Sequence, residues 1–256
     1  MTFLRLLGKS FLAALLETGR IAVFLGACLW QGVRPPWFWR LLGAQMMRIG
    51  WLSLPVVALT AFFTGAVLAL QIHYGGNQFN SESIIATIVA LGITRELGPV
   101  LAGLMVAGRV SAAIAAEIGT MRVTDQIDAL VTLSTNPFKY LAMPRIVAAV
   151  LVLPLLTVVA DIIGILGGFA VGVENLGFNP AIYARNTLTF LEVEDITSGM
   201  IKSAVFGFII TLMGCYHGFS SRGGAQGVGR AATNAVVSSS ILILAANYIL
   251  TSLFFS

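Results

Sequence analysis

The sequence predicts an all-α integral membrane protein: N-terminal helices at the membrane interface, then five transmembrane helices, with a short cytoplasmic helix between spans two and three. Hydrophobic residues make up 57% of the chain and charged residues only 10%, whereas a soluble domain carries about 25% charged residues. Crossing a hydrocarbon core of about 30 Å takes about 20 apolar helical residues. Five or six such crossings occupy the 256 residues. Residues 1–256 are therefore predicted to form one domain, with 1–50 at the interface and 51–256 in the bundle.

The N-terminal region is predicted to lie along the membrane surface. On a helix, Arg5, Lys9, Glu17 and Arg20 fall within about a third of the circumference. Such a charged stripe is typical of a helix that lies in the interface with its polar face toward water. The stretch 25–28 resembles a lipoprotein cleavage box. Cleavage is the less favoured alternative, because Glu17 and Arg20 interrupt the apolar core that a signal peptide needs.

Five apolar spans follow the interfacial region. They are predicted at 51–72, 85–118, 146–172, 200–217 and 232–254. The second is long, because a helix over 85–118 would measure about 51 Å. A single crossing with the N-terminus inside puts eleven basic residues in the inside segments and only Arg185 in the outside loops 73–84 and 173–199. This bias follows the positive-inside rule, so we predict a cytoplasmic N-terminus and a C-terminus on the far side.

Small residues recur every four positions in two of these spans. They are Gly103, Ala107, Ser111, Ala115 and Gly119 in the second span, and Gly164, Gly168 and Gly172 in the third. Faces of this type let helix backbones approach closely in lipid. Packing within the chain is the favoured interpretation, and a dimer contact is the alternative.

The sequence contains no catalytic motif and no metal-binding motif. The stretch Gly8–Ser10 ends like a phosphate-binding loop, but Phe3 stands where that motif needs Gly. The stretch Gly218–Ser221 begins like a nucleophile elbow, but Arg222 stands where the last Gly belongs. The chain is therefore not predicted to be an enzyme, and no cofactor is expected on it.

Two further features have plain structural interpretations. The glycine-rich stretch 223–229 is predicted to be a flexible inside loop. Cys28 and Cys215 follow no metal or redox spacing. Both cysteines are predicted to be small buried apolar side chains.

Charged residues inside the apolar spans are the main functional signal. Arg95 and Glu96 are adjacent, so on a helix they diverge by about 100° and cannot both face one partner. Counted from the inside edge of their spans, Arg95 and Asp161 lie at equal depth, which predicts an ion pair between them. Such charges either fix helix rotation or line a water-filled or head-group-filled cavity. Arg109, nearer the inner interface, is expected to extend toward the head groups.

The polar segment 120–136 is the second signal. Thr124 is predicted to cap a short helix, with Asp125 and Asp128 at its positive end. Ile127, Leu130, Val131 and Ser134 would form the opposite face. A short helix with one apolar face can lie in a groove on a soluble partner. The alternative is a helix on the membrane surface, which its two acidic residues disfavour.

At these residues the chain resembles the MlaE (YrbE) permeases of ABC-type lipid transport systems. The similarity lies in Glu96–Val100, Ala107–Arg109, Ala115–Met121 and Gln126–Leu130. Together with the five-span layout it covers nearly the whole chain. Ser111 stands where the family usually has Gly, and Asp125 where Glu is usual.

The resemblance implies a permease in a bacterial inner membrane. It implies a homodimer, an ABC ATPase subunit on each protomer that carries the ATP and Mg²⁺, a periplasmic ring (hexamer) of MCE-domain subunits and, in many systems, a STAS-domain protein. The implied substrate is phospholipid, moved between inner and outer membranes to maintain outer-membrane lipid asymmetry. No nucleic acid is expected. The implied lipid-pocket residues are Gln71, Arg95 and Glu96. The implied ATPase-coupling residues are Glu117, Arg122, Thr124, Asp125, Ile127, Asp128 and Leu130.

Three alternatives remain at this stage. The intramembrane charges could form the path of an ion-coupled carrier or channel. The chain could be a passive scaffold for a periplasmic complex. An ABC importer of sterol or another hydrophobic molecule would share the same layout.

Overall fold

The computed structural model describes residues 2–32, 38–75 and 82–254, and its elements in these ranges are helical. The α-helices are α1 Thr2–Gly32, α2 Trp39–Gly75, α3 Glu82–Gly92, α4 Gly98–Val106, α5 Ala112–Val123, α6 Gln126–Thr132, α7 Met143–Glu174, α8 Pro180–Phe190, α9 Val193–Phe219 and α10 Gly224–Phe254. Three single turns are π-helical: π1 Ile93–Leu97, π2 Ala107–Ser111 and π3 Phe138–Ala142.

Five stretches of the described chain are long and apolar enough to cross a membrane, which confirms the five predicted spans. They are Trp39–Gly75, Ile84–Val123, Phe138–Glu174, Val193–Phe219 and Gly224–Phe254. The long second span is one continuous crossing, from α3 through α5. The first span begins earlier than predicted. The helix α2 starts at Trp39, so residues 39–50 belong to the same helix as the predicted span 51–72. Arg40 and Arg48 give this part an interfacial composition, but nothing in it breaks the helix.

Close backbone contacts hold α7 at the centre of the bundle. Gly65 of α2 lies so near the carbonyl oxygen of Gly164 in α7 that any side chain there would collide with it. On another side of α7, a Cβ on Gly207 of α9 would lie 2.6 Å from the carbonyl oxygen of Ala149. Contacts of this kind are the small-residue packing expected in lipid. The predicted small-residue face of α7 is therefore used within the chain.

Two polar stretches differ from their predictions. The glycine-rich stretch was predicted to be a loop, but from Gly224 onward it is the first turns of α10. Gly227 lies against the backbone of Arg222, where a Cβ would collide. The predicted outside loop contains the helix α8, whose Asn179 side chain accepts a hydrogen bond from the Ala181 amide at 2.9 Å. An Asn followed by Pro at the first helical position is a recognisable start signal that the prediction missed.

The helix α1 packs on the bundle through aromatic side chains. The Phe24 ring lies 5.5 Å from Phe138 and 5.7 Å from Tyr216, centroid to centroid. Cys28 of α1 and Cys215 of α9 are both fully buried and reduced, as predicted. The Phe24 contacts join α1 to π3 and to the C-terminal end of α9.

Candidate functional site

A cluster of four charged side chains lies between π1 and α9, and we call it the charge cluster: Arg95, Glu96, Asp195 and Lys202. Arg95 Nε donates to Asp195 Oδ1 at 2.6 Å. Lys202 Nζ donates to Glu96 Oε1 at 2.8 Å and to the carbonyl oxygen of Arg95 at 2.8 Å. Arg95 and Glu96 thus have different partners, as their adjacent positions predicted.

The helix α10 completes the coordination of Glu96. Asn247 Nδ2 donates to Glu96 Oε2 at 2.8 Å, and Thr251 Oγ1 donates to Glu96 Oε1 at 2.7 Å. Lys202 Nζ also reaches Thr251 Oγ1 at 2.8 Å. The carboxylate therefore holds π1, α9 and α10 in one arrangement.

The two ion pairs share a pattern of burial. The side chains of Asp195 and Lys202 are 1% and 0% exposed, whereas those of Arg95 and Glu96 are 37% and 36% exposed. Each buried ion thus forms an ion pair with a partly exposed ion of opposite charge. The cluster presents one partly exposed positive group and one partly exposed negative group, on adjacent residues of π1. Intramembrane ionisable groups are costly to bury and by default indicate a functional site.

The partly exposed residues Arg95 and Glu96 both lie in the π1 turn. A π-helical turn inserts one residue into an α-helix and often occurs at functional sites. Arg95 lies at the centre of Ile93–Leu97, followed by Glu96, with Gly98 and Pro99 starting α4 directly afterwards. The turn therefore sets the direction of both side chains independently of the rest of the span.

Sequence reasoning missed the two buried partners. Asp195 was assigned to the outside loop, but it lies in the first turn of α9, where its Oδ2 also accepts the Glu192 amide at 3.1 Å. A carboxylate in that position is a common helix start signal. Lys202 lies inside the predicted fourth span, so its charge in an apolar segment was a visible signal.

The predicted Arg95–Asp161 ion pair is wrong. Arg95 turns toward α9, and no salt bridge between Arg95 and Asp161 occurs among the described residues. Asp161 instead faces Gly98, against which its Oδ1 packs closely, and this oxygen is buried without a hydrogen-bond partner. The rotation of each helix, and not only the depth of a residue along it, decides which side chains meet.

Gln71, the third predicted lipid-pocket residue, lies apart from these contacts. Its side chain is exposed on α2 near the end of the helix. In the described part of the chain, no hydrogen bond joins it to Arg95 or Glu96. Its role as a pocket residue stays a prediction.

The predicted coupling segment forms a shorter helix than expected, α6, of seven residues. Thr124 does not cap it, because the Thr124 hydroxyl donates backward to the Thr120 carbonyl at 2.8 Å. The residue at the N-cap position is Asp125, in a left-handed conformation with φ of 58°. Asp128 lies in the first turn and accepts from Arg122 Nη1 at 2.8 Å, which ties α6 to the end of α5.

Two apolar residues of this segment pack against the bundle, and two are exposed. Ile127 is buried and Leu130 packs against the core. Val131 and Leu133 are exposed, with Leu133 directly after the helix. Ile127 and Leu130 therefore anchor the segment, whereas Val131 and Leu133 remain exposed in this chain.

Glu117 of α5 connects the second span to two other spans. Its Oε2 accepts from Arg48 Nη1 of α2 at 2.9 Å, and its Oε1 accepts from Arg145 Nη2 of α7 at 3.0 Å. Arg109, expected to extend toward the head groups, instead donates to Ser53 Oγ at 2.6 Å and to the Ile49 carbonyl at 3.0 Å. Glu117 and Arg109 of the second span thus both bind residues of α2, so α5 and α2 are expected to move together.

No set of three or more His, Cys, Asp or Glu side chains in the described residues is arranged to hold a metal ion. The site consists instead of paired charges in apolar helices and a polar segment at one end of the second span. Paired charges inside membrane-spanning helices are typical of substrate and ion pathways.

A family model described as Permease MlaE matches residues 42–253. The chain belongs to this family. It is similar over nearly its whole length to a probable ABC transporter permease protein of Rickettsia bellii, with 54% identity over 97% of this chain and 96% of the relative.

More distant relatives have more specific names. The intermembrane phospholipid transport system permease protein MlaE of Haemophilus influenzae is 32% identical over 100% of this chain and 98% of its own. The chloroplastic protein TRIGALACTOSYLDIACYLGLYCEROL 1 of Arabidopsis thaliana is 38% identical over 85% of this chain and 62% of its own. This MlaE-family chain is therefore a multi-pass membrane permease, and the matched range contains the charge cluster, α6 and nearly all of the five spans.

Proposed function

We propose that this permease is the membrane-spanning subunit of an ABC transporter that moves phospholipids between the inner and outer membranes of a bacterium. In that role it maintains the lipid asymmetry of the outer membrane. The observation that carries the proposal is the half-exposed Arg95 and Glu96 pair, each held by a buried counter-ion.

The charge cluster suits a phospholipid head group by its chemistry. A zwitterionic head group carries a phosphate and an ammonium, and the cluster offers a partly exposed guanidinium and a partly exposed carboxylate on adjacent residues. Guanidinium groups bind phosphate with paired hydrogen bonds. Asp195 and Lys202 orient the two exposed groups and neutralise their charge when no head group is present. Apolar walls on the neighbouring helices would take the acyl chains.

The energy is supplied by a separate subunit. We propose that an ABC ATPase, which carries ATP and Mg²⁺, docks on the segment 120–136. The support is the exposed Val131 and Leu133 pair beside the anchored α6. ATPase closure would push α6, and Glu117 would carry that movement into α2 and α7 through Arg48 and Arg145.

The remaining assembly is proposed from the resemblance to the family. We propose a homodimer in the inner membrane with its N-terminus in the cytoplasm and its C-terminus in the periplasm. A periplasmic hexamer of MCE-domain subunits would receive the lipid, and a STAS-domain protein would join the ATPase. The name of the Haemophilus relative, an intermembrane phospholipid transport system permease protein, supports phospholipid as the cargo.

The alternatives draw less support from the geometry. A sterol has no phosphate or ammonium for the exposed charge pair to bind. An ion path would need titratable groups free to exchange ions, but Lys202 and Asp195 are fully engaged. A passive scaffold would not need the Glu117 connections between α6 and the spans.

The test is lipid occupancy of the assembled transporter. Arg95→Ala/Glu96→Ala should lower the amount of co-purified phospholipid roughly tenfold while the ATPase subunit still co-purifies. The control, Arg40→Ala/Glu174→Ala, removes one charge of each sign from exposed positions. Mass spectrometry of the intact complex reads subunits and lipid together. Equal lipid in the two double variants would refute the proposal.

A further inference from the structure

A second polar cavity lies at the other end of the spans, between α1, the end of α9 and the start of α10; we call it the α1 cavity. Its volume is about 960 Å³, near the upper end of the range for small-molecule sites. Lys202 and Phe219 are separated by roughly 25 Å along α9. The α1 cavity is therefore distinct from the charge cluster.

The charged residues that line the α1 cavity are mainly basic. Arg20, Arg222 and Arg230 line it, and Glu17 is the one acidic residue among its described lining residues. Glu17 Oε1 accepts from Arg20 Nη1 at 2.8 Å and Glu17 Oε2 accepts from the Tyr216 hydroxyl at 2.6 Å. The Tyr216 hydrogen bond holds the pKa of Glu17 below its usual value. The single carboxylate is thus already partnered, and positive charge is in excess.

Arg222 and Arg230 supply that excess. Among the described residues, neither takes part in a salt bridge, although both face the same cavity. Both side chains are exposed, so a ligand can reach them from the water–membrane boundary. Two guanidinium groups on one cavity wall form the donor arrangement that phosphate recognition uses.

Ser221 gives an independent indication of a ligand. It lines the α1 cavity, is 5% exposed, and its Oγ is buried without a hydrogen-bond partner. A buried hydroxyl without a partner costs free energy. The Ser221 Oγ is closed off from the cavity, near Gly119 of α5, so a change of the Ser221 rotamer would bring the hydroxyl to an acceptor bound in the cavity and remove that cost.

We propose that the α1 cavity binds a phosphate group, namely that of a phospholipid head group from the adjacent membrane leaflet. Arg222 and Arg230 contact the phosphate oxygens, and the Ser221 hydroxyl donates to one of them. Ile21 and Phe219 also line the cavity, and acyl chains can lie on these apolar side chains. These two residues favour a lipid over free phosphate as the source of the group.

The experiment measures binding of phosphatidylglycerol to the full-length protein by native mass spectrometry. Arg222→Gln/Arg230→Gln should weaken binding of one lipid per chain at least tenfold. Arg40→Gln/Arg185→Gln removes the same charge from other exposed positions and should leave binding unchanged. Equal affinities in the two double variants would overturn the proposal.

Two further arms identify the ligand. Diacylglycerol, which lacks the phosphate, should bind equally to both double variants. Inorganic phosphate at millimolar concentration should compete for the arginine-dependent lipid. Arginine-dependent binding of inorganic phosphate without arginine-dependent lipid binding would assign the cavity to free phosphate and overturn the lipid assignment.

Ser221→Ala provides a test that does not change the charge. It should weaken phosphatidylglycerol binding roughly tenfold and leave the Tm of the lipid-free protein unchanged or higher, because the unpartnered hydroxyl is gone. Unchanged lipid binding would contradict the role of Ser221.

The inference is independent of the proposed transport function. The arginine effect should persist when Arg95→Ala/Glu96→Ala is also present, because the two sites lie at opposite ends of the spans. Loss of the effect in that background would overturn the assignment of a separate site. Failure at the α1 cavity would leave the charge cluster as the transport site.

Discussion

At the scale of single residues, the charge cluster works because its buried and exposed members have different tasks. Lys202 and Asp195 are removed from solvent and fix geometry, whereas Glu96 and Arg95 remain half-exposed. A buried ion pair contributes little net stability, but removal of one partner costs about 3–5 kcal/mol because a charge is left uncompensated. In this cluster the exposed share of Glu96 reduces that cost. The pair is therefore better explained by function than by stability.

We predict that Lys202→Met lowers the Tm of the purified protein by several degrees, because Glu96 loses its counter-ion inside the bundle. Lys202→Met/Glu96→Gln should recover most of the loss, since neither charge then remains. Thermal unfolding in detergent is measured for the wild type, Lys202→Met, Glu96→Gln and the double variant. The four Tm values give the coupling between Lys202 and Glu96. Additive effects of the two substitutions would show that the pair is not coupled.

Asp161 is predicted to behave differently. Asp161→Asn keeps the shape of the side chain and removes no ion pair, because Arg95 is held by Asp195. The Tm and the co-purified lipid should stay close to those of the wild type. A drop comparable with that of Asp195→Asn would show that Asp161 is a partner of Arg95 after all.

At the scale of elements, α6 is a rigid extension of the second span. Ile127 and Leu130 anchor it, Arg122 holds Asp128, and Glu117 connects its base to α2 and α7. The short helix by itself would be marginal in water. Its stability comes from these contacts, so a force on α6 is transmitted to the bundle instead of unfolding the helix.

The exposed apolar pair on this element predicts where the ATPase binds. Val131→Ser/Leu133→Ser should weaken ATPase association about tenfold or more, because burial of each side chain is worth about 1.5–3 kcal/mol. Leu188→Ser/Val193→Ser is the matched control, since these side chains are 76% exposed in each case, against 56% and 75% for Val131 and Leu133. Affinity of the purified ATPase for each variant is the measurement. Equal affinities would exclude Val131 and Leu133 from the docking surface.

At the scale of the whole molecule, the charge bias predicts which ends of the helices lie in the cytoplasm. Ser134 follows α6 and Arg185 lies in α8, in the segments predicted inside and outside respectively. Both are exposed. In a background with Cys28→Ala/Cys215→Ala, Ser134→Cys should react with a membrane-impermeant thiol reagent only after the inner membrane is opened. Arg185→Cys should react once the reagent reaches the periplasm. The reverse labelling pattern would end the case for an ATPase docked at α6.

The fold was largely predictable because it depends on local properties of the chain. The apolar runs predicted all five spans, and the length of the second was correctly explained as one crossing. The ends were less accurate at Trp39 and Gly224, where polar or glycine-rich residues continue a helix that packing supports. The helix α8 was missed although Asn179 and Pro180 indicate its start.

The sequence by itself determined the membrane class, the number of spans and the presence of Arg95, Glu96 and Asp161 in apolar surroundings, because composition and run length require no knowledge of neighbours. Only the tertiary structure decided that Arg95 pairs with Asp195, that Glu96 pairs with Lys202, and that Asp161 faces Gly98. Depth along a helix can be counted from the chain, but rotation about its axis depends on packing and on the extra residue in π1. The same packing turned Ile127 and Leu130 inward and left Val131 and Leu133 exposed.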